Sequence, residues 1–334
     1  MLPPLETVTL TFVVAFTVLG ILVNIFIVGV NGIDWVKTRH LDTSDIILTS
    51  LGIARFFLQW IIMLDMIISV VFPHIYHLIK FLKMFYTIWA FVDLVNAWFA
   101  ALLGVFYCAK IANHSHPVFI FLKLKIPRTI HWLLLGSMLA SLITSISISW
   151  VFEIPHSNST TNISSNDSTA TNCSFAWNVC KGYQKNSTED FSLHVSSTGA
   201  FTMYPIIVLC LGYAIPFFIF CVALLLLIRS LWDHTWHIKG NTMEYCNPSL
   251  QIYFTAIRVM VSFLLLCICG FICNILGTSY LFSSKGLLFH ILSIVSAAYP
   301  SLHSVILILN NSKLRQVLER IFHHSKVPSR GNIT

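Results

Sequence analysis

The sequence predicts an all-α membrane protein built as a bundle of seven transmembrane helices. Of its 334 residues, 56% are hydrophobic and only 10% are charged, whereas a soluble domain carries about 25% charged residues. The mean hydropathy is +0.79. Seven apolar stretches follow one another along the chain, each long enough to cross a hydrocarbon core that takes roughly 20 helical residues. These observations exclude a soluble globular domain.

The seven predicted spans are separated by polar or charged segments. We treat residues 1–309 as the transmembrane domain and residues 310–334 as a tail. Prolines occur within spans five and seven, where neighbouring helices can satisfy the carbonyls that proline leaves free. The spans cover residues 7–33, 46–72, 84–108, 131–152, 201–228, 259–282 and 287–309.

The first two spans carry few polar side chains. Span one is free of charge and has Asn24 as its polar interior residue, while span two is interrupted by Arg55 and Asp65. A charge buried without a partner is very costly. We therefore expect Arg55 to be a structural hub that pairs with Asn24 and with the backbone, with a ligand contact as the alternative.

Span three carries a polar stripe on one helical face. Its members follow at steps of three or four and therefore share a face. A carboxylate and an amide do not belong against lipid, so this face should point inward. Two interpretations stay open, a buried structural stripe or the wall of a ligand site. The stripe consists of Trp89, Asp93, Asn96, Ala100 and Gly104.

Span four and the tail show two further periodic patterns. In span four, serines recur at every fourth residue, which suits close contact between helices; they are Ser137, Ser141, Ser145 and Ser149. In the tail, residues 313–322 place apolar side chains at helical spacing between basic ones, which predicts a short amphipathic helix on the inner membrane leaflet. Membrane lipids are thus expected partners.

The distribution of basic residues predicts the orientation. Of the 20 Lys and Arg residues, 14 lie in segments 34–45, 109–130, 229–258 and 310–334, and only 5 lie on the other side. Positive loops face the cytoplasm, so the N-terminus is expected outside. This distribution also accounts for the net charge of +7 without a nucleic-acid partner.

The loop 153–200 is external in this topology and carries a cluster of glycosylation motifs. An N-x-S/T motif on an external loop predicts attached glycans. Cys173 and Cys180 lie in the same loop, where they either form a small local disulfide or stay free. The five predicted glycosylation sites are Asn158, Asn162, Asn166, Asn172 and Asn186.

The sequence offers little for catalysis. It has no HExxH, no Walker loop and no GxSxG motif. His234 and His237 are spaced like some metal ligands but have no acidic third ligand nearby, so we predict no metal, no cofactor and no enzyme activity. A transporter is a less favoured alternative, because no internal repeat is visible.

Many separated motifs resemble, in the right order, the type 2 (bitter) taste receptors. The resemblance runs from about Gly20 to Gln316. The DRY, CWxP and NPxxY motifs of rhodopsin-like receptors are missing, as is a cysteine at the outer end of span three. That missing cysteine also counts against a vomeronasal-type receptor, the nearest alternative. The matching segments include Leu41–Leu48, Ser50–Arg55, Lys110–Ala112, Leu226–Ile228, Asn247–Ser249, Tyr299–Ser304 and Lys313–Gln316.

The resemblance implies a plasma-membrane receptor with a cavity that is open to the outside and takes small bitter molecules. It also implies that the inner face activates a gustducin-like heterotrimeric G protein. The implied ligand contacts are Asp65, Met66, Trp89, Asp93, Asn96, Gly270, Ser293 and Ser296. The implied structural or switch positions are Asn24, Arg55, Tyr107, Lys110, Ser230, Leu231, His234, Pro300, His303 and Ser304.

Two of these positions suggest a charge preference. Asp65 and Asp93 stand where relatives usually have asparagine. A carboxylate in a cavity of low dielectric attracts a protonated amine more strongly than it does in water. With Trp89 as an aromatic platform, the site would favour cationic amines. The alternative is that Asp93 is protonated or pairs with an internal group.

Overall fold

The computed structural model describes residues 4–72, 79–111, 117–151, 191–238, 248–278 and 287–326. Within these ranges the regular structure is entirely helical, and seven helices are long and apolar enough to cross a membrane. This confirms the predicted seven-helix fold. The helices are α1 (Pro4–Thr38), α2 (Thr43–Val71), α3 (Ile79–Ile111), α4 (Pro117–Val151), α5 (Phe191–Ile238), α6 (Pro248–Thr278), α7 (Leu287–Asn310) and α8 (Ser312–Lys326).

Several helices extend beyond the predicted spans. The helix α4 begins at Pro117, well before residue 131, and α5 continues past both ends of 201–228. Parts of the predicted inner loops are therefore helical. Hydropathy marks only where the chain is apolar enough for lipid, whereas helical hydrogen bonding can continue where Lys123, Lys125 and Arg128 make the chain polar. The five predicted glycosylation sites, with Cys173 and Cys180, lie outside the described residues.

The helix α3 occupies the centre of the bundle. It packs against α2, α4, α5 and α6, while α7 packs against α1, α2 and α6. The buried core includes Leu51, Ala100 and Leu227. Large apolar side chains such as Trp132 and Phe218 are exposed on the outside, as expected of a surface solvated by lipid chains.

The serine face of α4 is turned inward. Ser137, Ser141 and Ser145 are buried. The hydroxyl of Ser137 donates to the carbonyl of Leu133, and that of Ser141 donates to the carbonyl of Ser137, both at 2.8 Å. Because these hydroxyls donate to carbonyls of their own helix, the serines form a face of small side chains on which other helices can pack closely.

The short helix α8 is anchored by one lysine to the end of α1 and the beginning of α2. Lys313 Nζ lies 2.6 Å from Asp34 Oδ2 and 2.7 Å from Asp45 Oδ2, and it donates to Asn31 Oδ1 at 3.0 Å. The neighbouring Leu314 is fully buried. The sequence pattern predicts Lys313 as one of the basic residues of an amphipathic helix. The structure instead uses its charge to tie α8 to α1 and α2.

We expect α8 to loosen when Lys313 is replaced by methionine. Burial alone would lower the pKa of Lys313, but hydrogen bonds to Asp34 and Asp45 hold that pKa above its ordinary 10.5. The stabilisation is therefore complete at neutral pH and is lost only as the pH rises through the raised pKa. Hydrogen exchange of residues 312–326 at neutral pH should accelerate about tenfold in the variant, which corresponds to roughly 1.4 kcal/mol.

Arg315→Met is the matched control for this measurement. Arg315 pairs with Glu319 of the same helix at 3.2 Å, and both side chains are exposed. An exposed pair of this kind contributes little. Equal exchange rates in the two variants would mean that the Lys313 contact does not hold α8 in place.

Candidate functional site

A cavity of about 400 Å³ lies between α3, α5, α6 and α7. Such a volume, with mostly apolar walls and a few convergent polar groups, is typical of a small-molecule site. The polar groups are Asp93, Asn96, Tyr213 and Tyr299. The apolar walls include Phe217, Phe220, Phe263, Leu264, Ile268 and Phe271.

The carboxylate of Asp93 is buried on the wall of this cavity, with 3% exposure. The hydroxyl of Tyr299 donates to its Oδ1 at 2.6 Å, and the hydroxyl of Tyr213 donates to its Oδ2. These charge-assisted hydrogen bonds offset the cost of removing the carboxylate from water. A carboxylate has roughly four acceptor positions, so two phenols leave capacity for a further donor from the cavity.

A chain of hydrogen bonds connects Asp93 to Arg55. Arg55 Nε donates to Asn96 Oδ1 at 3.1 Å. Asn96 Nδ2 donates to the hydroxyl oxygen of Tyr299 at 3.3 Å, and Tyr299 donates to Asp93. Every donor thus points from the cation toward the carboxylate. The guanidinium of α2 and the carboxyl group of α3 are thus joined through two neutral side chains.

The guanidinium of Arg55 is also bonded to α7. With 1% exposure, it donates from Nη1 to Ser304 Oγ at 3.0 Å and from Nη2 to His303 Nδ1. This arrangement differs from the predicted direct pairing of Arg55 with Asn24 and the backbone. Ser304 of α7 lies between Arg55 and Asn24, and its hydroxyl donates to Asn24 Oδ1 at 2.9 Å. Side chains of α3 and α7 therefore hold the arginine.

A second route from the cavity to Arg55 is aromatic. The rings of Phe220 and Phe263 both line the cavity and meet edge to face, with centroids 4.9 Å apart. The Phe263 ring also contacts the imidazole of His303, with centroids 4.3 Å apart. His303 accepts a hydrogen bond from Arg55. Displacement of either phenylalanine would therefore move the imidazole of His303 and change its hydrogen bond with Arg55.

Three of the eight predicted ligand contacts line the cavity: Asp93, Asn96 and Gly270. The other five lie toward the end of the bundle opposite α8. Trp89 packs against Tyr86, with ring centroids 5.3 Å apart, beside the buried Leu209. The remaining four are half-buried on α2 and α7: Asp65, Met66, Ser293 and Ser296.

The predicted inner positions lie at the end of the bundle that carries α8. Ser230 is buried, and Tyr107 and Leu231 are half-buried. Lys110 is exposed, with its ammonium 5.6 Å from the centre of the Phe106 ring. Pro300, a predicted switch position, lies away from this end, buried in the middle of α7. The side chain of His234 lies outside the described residues.

The sequence pattern does not predict that Tyr213 and Tyr299 donate hydrogen bonds to Asp93. The phenols of both residues hold Asp93, yet neither carries a charge that would stand out in an apolar span. The available signal was that a tyrosine in such a span usually needs a partner for its hydroxyl. Among the described residues, no group of three or more His, Cys, Asp or Glu side chains is placed to hold a metal ion.

Comparison with known proteins gives one consistent family. The family described as "Taste receptor protein (TAS2R)" matches residues 1–326. The chain is 34% identical to "Taste receptor type 2 member 8" of Homo sapiens over 328 residues, which covers 98% of this chain and 99% of that protein. It is also 34% identical to "Taste receptor type 2 member 7" of Rattus norvegicus over 325 residues, covering 97% of each chain.

Proposed function

Because the chain belongs to the TAS2R family of bitter taste receptors, we propose that its cavity between α3, α5, α6 and α7 binds small bitter molecules. The family is a class of receptors rather than enzymes. Seven helices able to span a membrane agree with a multi-pass membrane protein, which we place in the plasma membrane. The family match favours this function over the vomeronasal-type receptor and the transporter that the sequence left as alternatives.

The favoured ligand is a protonated amine on an apolar body. The observation that carries this proposal is a carboxylate, Asp93, on the wall of a cavity that is otherwise mostly apolar and aromatic. Asp93 would anchor the ammonium, and rings such as Phe217 and Phe271 would contact the apolar body. We place Asp65 and Trp89 further out, where the second carboxylate and the indole would meet the amine before it reaches Asp93.

The opposite end of the bundle is the proposed G protein site. By the distribution of basic residues, the end that carries α8 faces the cytoplasm, and the loop 153–200 with its glycosylation motifs lies outside. A gustducin-like heterotrimeric G protein would contact the exposed Lys110 and Lys125 by charge and Leu231 by apolar packing. The apolar side chains of α8 would rest on membrane lipids.

Asp93→Asn tests the ligand proposal, because asparagine keeps the shape and removes the charge. In cells that co-express a gustducin-like G protein, the calcium response to amine agonists should lose about tenfold or more in potency, since a charge-assisted contact is worth about 1.5–3 kcal/mol. Neutral agonists should change little. The matched control is Asp65→Asn, which removes the other carboxylate at a position outside the cavity lining and should have a smaller effect.

Two outcomes would contradict the amine proposal. One is an equal loss of potency for amine and neutral agonists in Asp93→Asn. The other is full amine potency in that variant at normal surface expression. Either result would assign Asp93 to internal packing with Tyr213 and Tyr299 only.

A further inference from the structure

The cavity wall on α6 lacks a side chain at one point, Gly270. A Cβ atom built there would lie 3.2 Å from Cδ1 of Tyr299 and 3.4 Å from Cε1 and Cγ of the same ring. These distances are at or below the tight limit for carbon atoms in contact. The phenol ring of Tyr299 therefore packs directly on the α6 backbone, and a Cβ atom at position 270 would require the ring to give way by a few tenths of an ångström, with a branched side chain requiring more.

The position of this ring decides whether the hydroxyl of Tyr299 reaches Asp93. The hydroxyl donates to Asp93 Oδ1 at 2.6 Å and accepts from Asn96 Nδ2 at 3.3 Å. A hydrogen bond weakens steeply once donor and acceptor separate beyond about 3.5 Å. A shift of the ring by roughly 1 Å away from α3 would therefore break the bond to Asp93. A side chain at position 270 would press on the ring of Tyr299 from α6 and so displace the hydroxyl that bonds Asp93.

The two phenol donors prepare the carboxylate for a cation. In a mostly apolar cavity, a charged carboxylate without hydrogen-bond donors is costly and tends to take up a proton instead. Tyr213 and Tyr299 supply one donor to each oxygen of Asp93. They also fix its orientation, so the acceptor positions that remain can meet a ligand without rearrangement. A protonated Asp93 would attract an ammonium no better than an amide does.

We propose that Gly270 is a specificity-determining position and that Tyr299 is a positioning residue. The bare backbone at Gly270 lets Tyr299 lie close enough to favour the charged form of Asp93 and to fix its orientation, and the site thereby selects protonated amines over neutral ligands. This inference rests on the proposed function, in which Asp93 anchors the amine. It adds that the preference for amines is set from α6 and α7, by residues that need not touch the ammonium.

The test compares amine and neutral agonists in the full-length receptor, by calcium response and surface expression. Tyr299→Phe keeps the ring and removes the hydroxyl, while Gly270→Val fills the space of the ring. Each should lower the ratio of amine potency to neutral potency by about tenfold. The double variant should lose no more than either single variant, because both changes break the same bond. Gly29→Val is the matched control, because it makes the same substitution in α1, where a Cβ atom meets nothing within 4 Å, and it should leave the ratio unchanged.

The outcomes separate this inference from the proposed function. If Asp93→Asn lowers the ratio while Tyr299→Phe and Gly270→Val leave it unchanged, the inference is wrong and the amine site stands. If Asp93→Asn itself leaves the ratio unchanged, the proposed ligand class fails. Additive losses in the double variant would also overturn the inference. Where Gly270→Val does not reach the surface, Gly270→Ala replaces it, with a smaller loss of the ratio expected in the same direction.

Discussion

Replacing Arg55 by alanine should remove most of the folded receptor from the cell surface. The side chain joins α2 to α3 through Asn96 and to α7 through Ser304 and His303. Its loss leaves those three groups without their donor and opens a hole in the core. Breaking a buried charged network by removing one partner costs roughly 3–5 kcal/mol, a large part of the 5–15 kcal/mol that typically stabilises a domain.

The thermal midpoint of the detergent-solubilised receptor, together with surface expression, measures this loss. Arg315→Ala is the matched control, because it deletes the same side chain from an exposed pair with Glu319, where both side chains are 58% exposed. Exposed pairs contribute about 0–1 kcal/mol, so the control should stay close to the parent. Similar midpoints for the two variants would show that the Arg55 contacts do not hold the bundle together.

Replacing Gly20 by valine should have the second largest effect on folding. A Cβ atom at Gly20 would lie 2.4 Å from Ser301 Oγ and 2.5 Å from Gln59 Nε2, closer than carbon can approach either atom. These two atoms are hydrogen-bonded to each other at 2.8 Å, and Ser301 also donates to the carbonyl of Phe16 at 2.7 Å. Overpacking costs about 1–3 kcal/mol and each lost hydrogen bond about 1 kcal/mol, so we expect a loss of about 3 kcal/mol.

Gly29→Val controls for the change of residue type. Gly29 lies in the same helix, and a Cβ atom there would meet nothing within 4 Å. Both substitutions change the intrinsic helix propensity by the same amount, so the difference between their thermal midpoints isolates the contact with α2 and α7. If Gly29→Val destabilised the receptor as much as Gly20→Val, the close approach at Gly20 would not be the cause.

The sequence predicted what depends on local pattern. Apolar length located the spans, because lipid requires a continuous apolar stretch of helix. Helical spacing placed Asp93 and Asn96 on one inward face, and the structure places both on the cavity. Tyr213 and Tyr299 were not predicted as partners of Asp93, since they lie 120 and 206 positions away along the chain. Only the folded bundle, in which α5 packs against α3 and α7 lines the same cavity, brings them together.

Lys313 illustrates the same limit at the tail. Its spacing within an amphipathic pattern correctly predicted a helix, which the structure extends over Ser312–Lys326. The pattern could not show that Asp34 and Asp45 converge on its ammonium. Charge spacing within one helix identifies neighbours on that helix, whereas these carboxylates come from two other elements.

When Asp93 is ionised, the chain of hydrogen bonds from Arg55 to Asp93 joins one positive and one negative charge in the middle of the bundle. A cationic ligand at Asp93 would add a third charge, and its repulsion of the Arg55 guanidinium would offset part of the attraction between Arg55 and the carboxylate. A neutral ligand would leave that balance intact and would reach the arginine only by moving Phe220 or Phe263 against His303. The two ligand classes would therefore both act on Arg55 but in different ways: the cationic ligand through its charge, and the neutral ligand through the displacement of aromatic side chains.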